Sequence, residues 1–209
     1  MPSSDLPISS FITELSSASP APGGGAAAAL AAALSSSLLS MAALATSENG
    51  RYSAVRDEMI AAAEELKTLC GELLSLIDAD AEGFAPLSDL YKAPKDSEGF
   101  EQKRHNAVLL ACRAPLDMLH CLDKVSSILG RIGGSVSRSI LSDVRCAALL
   151  CSASAKCCAA TIAANTGLIK GTPDAGLIGA ESAGITEAIC ERTDAFTAGL
   201  FPGRSAEVL

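Results

Sequence analysis

Within the segment LIDADAEGF, Leu76 to Phe84, an acidic side chain occupies a position where the helical pattern asks for an apolar one. Leu66, Leu69, Leu73 and Leu76 recur at alternating spacings of three and four, which marks a buried helical stripe. Continued, that register calls for apolar residues at 80, 83 or 84, and 87. Phe84 and Leu87 comply, but position 80 is Asp80. Glu64, Ser75, Asp78 and Glu82 fall on the opposite side, so Asp78 and Glu82 read as solvated charges. An unpartnered buried carboxylate costs several kcal/mol, so Asp80 must find a cation or take up a proton. Partial desolvation moves its pKa toward the range where it trades protons near neutrality. A structural aspartate paired with Arg or Lys from a neighbouring helix fits the same pattern. Gly83 beside it leaves room for something to sit against the carboxylate.

Other residues could serve the same chemistry. The run PAPGGG puts Gly23, Gly24 and Gly25 at a helix start, where free backbone amides can receive an anionic or polar edge. No strand precedes the glycines and no Lys-Ser/Thr follows them, so the dinucleotide fingerprint and the P-loop both lack their required context. Asp143, after Ser142 near the start of a later helix, suits a first-turn position. Asn165, followed by Gly167, suits that helix's C-terminal stop. Lys92 and Lys95 in YKAPKD, with Lys103 and Arg104 soon after, form the main basic cluster of the first half. They read either as a solvated loop or as a handle for an anionic substrate.

The elements that position these residues are helical. Hydrophobic residues make up 49% of the 209-residue chain but aromatics only 3%, so Ala, Leu, Ile and Cys must fill the interior. That composition suits helices packed closely through small side chains. A first helix is predicted over Ile8 to Ser17, and an Ala-rich one from the glycines to Ser47. Longer helices follow over Ser53 to Leu90, Phe100 to Leu129 with a bend at Pro115, Ser139 to Asn165, and Leu177 to Leu200. The expected fold is one all-α domain over residues 1–209, an up-and-down bundle of long helices. Helices this poor in large side chains bury little apolar area each, so association as a two-fold homodimer is expected.

A formal net charge of −8 argues against a nucleic-acid partner. Residues Gly23 to Ser47 carry no charge, but Ala and Ser insert weakly into bilayers, so a buried helix is expected and no membrane span. The acidic N-terminal segment does not read as a signal peptide. None of the eight cysteines forms a CxxC pair, and His105 and His120 have no metal-ligand spacing to them. Cys146, Cys151, Cys157 and Cys158 therefore read as reduced, apolar fillers in a cytoplasmic protein with no metal site, a zinc site or a disulfide framework being the alternative.

Taken in order, FITELSSASPAPGGGAAAALAAALSSSLLSMAAL, LIDADAEGF, YKAPK, SDV and a terminal N resemble the cyclodeaminase/cyclohydrolase family. That is the family of the formimidoyltetrahydrofolate cyclodeaminase domain and of methenyltetrahydrofolate cyclohydrolases on the same fold. The resemblance covers Phe11 to about Asn165 and implies an all-helical dimer with a folate site between helices. It places the family's catalytic aspartate on Asp80, its basic loop on Lys92 and Lys95, its Ser-Asp pair on Ser142 and Asp143, and its Asn on Asn165. Where the family often has a second Asn four residues earlier, this chain has Thr161.

The implied activity is formation of 5,10-methenyltetrahydrofolate from 5-formimidoyltetrahydrofolate with loss of ammonia, hydrolysis of that ring to 10-formyltetrahydrofolate, or both. Neither reaction calls for a cofactor beyond the folate substrate. Asp80 would shuttle protons, Asp143 and Asn165 would orient the pterin or the migrating carbon, and the lysines would meet the glutamate tail. A separate formiminotransferase is the implied pathway partner. The alternative of a different class is a helical folate-binding or scaffold protein without catalysis.

Overall fold

Four helices close a ring: α2 (Gly24–Ser47), α3 (Arg56–Leu90), α4 (Phe100–Ile132) and α5 (Leu141–Thr166) pack in that order, with α5 returning against α2. A short α1 (Ile8–Leu15) precedes them, and α6 (Pro173–Thr197) lies along α4 and α5. The computed structural model describes residues 2–198, and no strand occurs among them.

The composition explains how α2 sits in this ring. Ala26, Ala29, Ala32, Leu39, Ala42 and Ala43 on it are completely buried. Its serines do not stay unsatisfied. Ser35 Oγ donates to the Ala147 carbonyl and Ser36 Oγ to the Leu66 carbonyl, each at 2.8 Å, and Ser40 Oγ donates to Ala63 O at 3.1 Å. Such bonds to neighbouring backbones require close helix approach, which only small side chains permit. Although α2 is long and apolar enough to cross a membrane, as is the Arg138–Ile169 stretch, more than half of its most apolar window is buried inside the protein.

Several boundaries differ from expectation for definable reasons. α6 starts at Pro173, four residues before the expected Leu177, because proline suits the first helical position and Thr172 caps the helix by accepting from the Ala175 amide. α5 does end where Asn165 and Gly167 lead one to expect, at Thr166 with Gly167 as its C-cap. Gly167 keeps right-handed dihedrals in a short 3-10 turn, however, and the chain reverses at Gly171, whose φ of 90° only glycine adopts easily. α4 continues through Pro115 and past Gly130 to Ile132. The predicted end of the last helix at Leu200 lies outside the described residues. The leucine stripe of α3 also drifts: Leu66 and Leu73 are fully buried, but Leu76 is half-buried while Ile77 takes the core position. A straight α-helix walks away from a seven-residue repeat in this direction. Of the cysteines in α5, Cys151 and Cys158 are buried as fillers, whereas Cys146 and Cys157 are exposed.

A cavity around Asp80

All four ring helices meet at the end where α2 begins. Asp80 projects from α3 against the first turn of α2, as the stripe requires. Gly23 occupies the N-cap of α2 and offers no side chain to satisfy the free amides, so the carboxylate of Asp80 comes to them from α3. The approach is so close that a Cβ on Gly25 would land on the carboxylate itself, whereas a Cβ on Gly24 would meet nothing within 4 Å. Gly25 is therefore required by Asp80, and Gly24 is not.

Burial pushes the Asp80 carboxyl above the usual carboxylate range, and the Ala26 backbone amide opposes that rise only in part. No Arg or Lys pairs with it among the described residues. The structural reading, an aspartate neutralised by a neighbouring cation, is thus not what the fold builds. In front of Asp80 lies a cavity of about 130 Å³, lined also by Pro20, Gly23, Gly24, Gly25, Phe84, Thr161 and Asn165. Asp80 is the one titratable side chain on that wall among the described residues.

Asn165 reaches the same cavity from the end of α5. Its Nδ2 donates to the Ala111 carbonyl of α4 at 3.2 Å, which fixes the amide in a buried position. Cys112 lies against it, and burial pushes that thiol up to about 11 despite the Asn165 contact. The thiol of Cys158 is pushed up to about 12, mainly by burial, with the charges of Cys157 and Asp80 adding to it. Both thiols stay protonated near neutrality, so neither is a nucleophile. Thr161 lines the cavity too, but its hydroxyl donates back to the Cys157 carbonyl at 3.1 Å.

The structure therefore brings together Asp80, Gly23, Gly24, Gly25 and Asn165. It does not bring the other sequence candidates into this cavity. Lys92 and Lys95 are exposed in the loop between α3 and α4. Asp143 is half-buried in the first turn of α5, separated from Asn165 by nearly the whole helix, about 33 Å at 1.5 Å per residue. The space beside Gly83 is taken by α4: a Cβ there would come within 2.9 Å of the Leu110 carbonyl. Asp78, read as a solvated charge, instead accepts from the Ser3 amide at 2.6 Å, from the Ser4 amide at 3.4 Å and from Ser4 Oγ. Pro20 opens the PAPGGG run, but Ala111 and Cys112 carry no pattern that marks them in sequence. They are found only once the helices are closed into a ring.

The sequence matches the family model described as formiminotransferase-cyclodeaminase over residues 7–181. No curated protein matches it. Among solved structures, the fold is similar to that of formiminotetrahydrofolate cyclodeaminase from Thermotoga maritima, with a TM-score of 0.79 at 24% identity. The similarity covers 94% of this chain and 98% of that one. The family match runs from α1 into α6 and takes in every residue that lines the Asp80 cavity. The chain belongs to the formiminotransferase-cyclodeaminase family.

Proposed function

We propose that this chain is a folate one-carbon enzyme that closes the 5,10-methenyl ring from 5-formimidoyltetrahydrofolate and releases ammonia. N10 attacks the formimidoyl carbon, giving a tetrahedral carbon between two ring nitrogens. N10 must then lose a proton and the departing nitrogen must gain one. A single group that accepts and returns a proton at neutral pH meets both needs. The observation that carries the reading is Asp80: it is the only titratable side chain on the cavity wall among the described residues, it has no ion-pair partner there, and burial raises its pKa. Ionised, it also balances the positive charge of the amidinium in a site shielded from water. Asn165, held by Ala111, presents a fixed amide to the same carbon or to the pterin edge. Opening the methenyl ring by water passes through the same kind of tetrahedral carbon, so hydrolysis to 10-formyltetrahydrofolate is a second reaction open to this site.

The test is spectroscopic. Methenyltetrahydrofolate absorbance should grow when the protein meets the formimidoyl substrate, and should decay faster than the buffer rate if hydrolysis also occurs. Asp80→Asn should remove both changes while the chain remains folded. Full turnover by a folded Asp80→Asn variant would refute the assignment, and folate binding without either change would favour the non-catalytic alternative.

The second part of the reading is a homodimer. α2 leaves Leu34 and Met41 outside, 48% and 41% exposed, and the adjacent α5 leaves Leu149 43% exposed on the same exposed stripe as Cys146, Ala153, Lys156 and Ala160. A two-fold partner on this face would cover them, and an antiparallel crossing of the two α5 helices would bring each chain's Asp143 end toward the other's Asn165 end. Light scattering should give twice the 21.1 kDa chain mass, falling to one chain in Leu34→Glu/Leu149→Glu.

A further inference from the structure

The Asp80 cavity, at about 130 Å³, holds only the reacting portion of a folate, so the remainder must follow the surface away from it. Two of its walls extend in one direction. On α4, Arg104 lies seven residues before Ala111, two turns along the same face and about 10 Å away. On the other side, the chain continues from Asn165 into the Gly167–Ile169 turn and Lys170. Between these extensions lies a second cavity, about 440 Å³, lined by Arg104, His105, Lys170 and Thr172 together with Glu101.

The charges around this second cavity are unevenly satisfied. Arg104 meets Glu101 through Nη2, an exposed pair of the kind that contributes little, while its Nε is buried with no hydrogen-bond partner. His105 Nε2 lies 2.8 Å from Asp174 Oδ2, so the carboxylate in the first turn of α6 already has its partner. Lys170 is exposed and makes no ion pair among the described residues. Thr172 caps α6, whose positive end therefore opens beside the same two cations. Of the formally charged side chains that line it, Arg104 and Lys170 outnumber Glu101, in a chain of net charge −8. Lys92 and Lys95 line neither cavity.

We propose that this second cavity receives the carboxylates of the substrate's glutamate tail, with Arg104 and Lys170 as the cations that hold them. The p-aminobenzoyl spacer of a folate then lies along the seam between α4 and the end of α5. This rests on the folate reading of the Asp80 cavity.

Equilibrium binding of three unreactive ligands tests it: tetrahydropteroate, which lacks glutamate, and tetrahydrofolate with one and with three glutamates. Wild-type protein should bind the glutamylated ligands at least about tenfold more tightly than tetrahydropteroate, as charge-assisted contacts to two cations imply. In Arg104→Gln/Lys170→Gln that gain should fall to about threefold or less, with tetrahydropteroate binding unchanged and the unfolding transition intact. A gain that persists in the double variant overturns the proposal, as does an equal loss for all three ligands. A gain abolished instead by Lys92→Gln/Lys95→Gln also overturns it, because the tail would then run to the α3–α4 loop. If wild-type protein binds none of the three, the folate reading falls and this inference with it, an outcome distinct from a misplaced tail.

Discussion

Asp78 and Asp80 are the same residue type, two positions apart on α3, and the fold treats them in opposite ways. Asp78 turns to the N-terminal segment and collects donors from Ser3 and Ser4, so its charge is met by hydrogen bonds at the protein's edge. Asp80 turns to the ring of helices, where burial outweighs the amide of Ala26 and no cation arrives among the described residues. A carboxylate with its acceptor sites filled is a fastener. One that has been desolvated without a counter-ion retains an unmet demand for a proton, and a cavity beside it lets a substrate answer that demand. The difference lies in the number of donors the surrounding backbone supplies, and sequence neighbours have little say in it.

Exchanging the side chains on the two sides would test this contrast most severely at Asp80. Asp80→Asn should lower kcat by roughly 10²- to 10⁴-fold, the usual range for a lost general acid–base. It should also raise Tm near neutral pH. The folded-state pKa of Asp80 lies above its unfolded value, so the native state binds the extra proton between the two. Stability therefore falls as pH rises from the ordinary carboxylate range through the raised pKa. Replacing Asp80 by a neutral side chain relieves that loss, so the Tm gain should shrink as pH is lowered toward about 4. A Tm that drops on substitution at every pH would mean that Asp80 is a fastener like Asp78. Gly25→Ala comes next in size. Its Cβ must displace the carboxylate, which should cost about 1–3 kcal/mol as an overpacked contact and reduce turnover by about 10²-fold through misplacement of Asp80.

Much of this site could be read from one helix at a time, and the parts that could not have a common cause. The spacing of Leu66, Leu69 and Leu73 is enough to turn Asp80 inward, because helical periodicity is a local property. The glycine run announced a helix start for equally local reasons. Asp78 escaped because its partners, Ser3 and Ser4, lie 75 and 74 residues away and no pattern on α3 refers to them. Gly83 was read as making room for a ligand, whereas the room belongs to the backbone of α4, a fact that only helix packing reveals. Ala111 contributes a carbonyl, which has no signature in sequence. The family resemblance located Lys92, Lys95 and Asp143 by order along the chain, but order does not place them at the cavity of a single chain. The fold itself was more legible than the site: a composition poor in aromatics and rich in Ala and Ser anticipates helices that touch through small residues, and the Ser35, Ser36 and Ser40 bonds show how closely they do.

The structural member of the pair predicts a smaller and different effect. Asp78→Ala removes charged acceptors from two backbone amides and a hydroxyl at a half-buried position, and should destabilise the chain by about 1–2 kcal/mol in denaturant unfolding. Activity per folded molecule should be retained, because Asp80 and the cavity lie on the opposite side of α3. A large loss of kcat in Asp78→Ala would show instead that docking of the N-terminal segment helps to set the Asp80 carboxyl.

Gly24→Ala supplies the smallest effect and the control for Gly25. Both glycines lie in the first turn of α2, both are helical, and an added methyl at Gly24 meets open space. Alanine gains on glycine by reducing the entropy of the unfolded chain, so the change should be neutral or stabilising by no more than about 1 kcal/mol, with turnover unaltered. If the two alanine variants instead lost activity alike, the requirement would belong to the glycine backbone as such. If only Gly25→Ala fails, the requirement is the contact with Asp80, and the closeness of that carboxylate to the amides of α2 is what the third glycine of the run preserves.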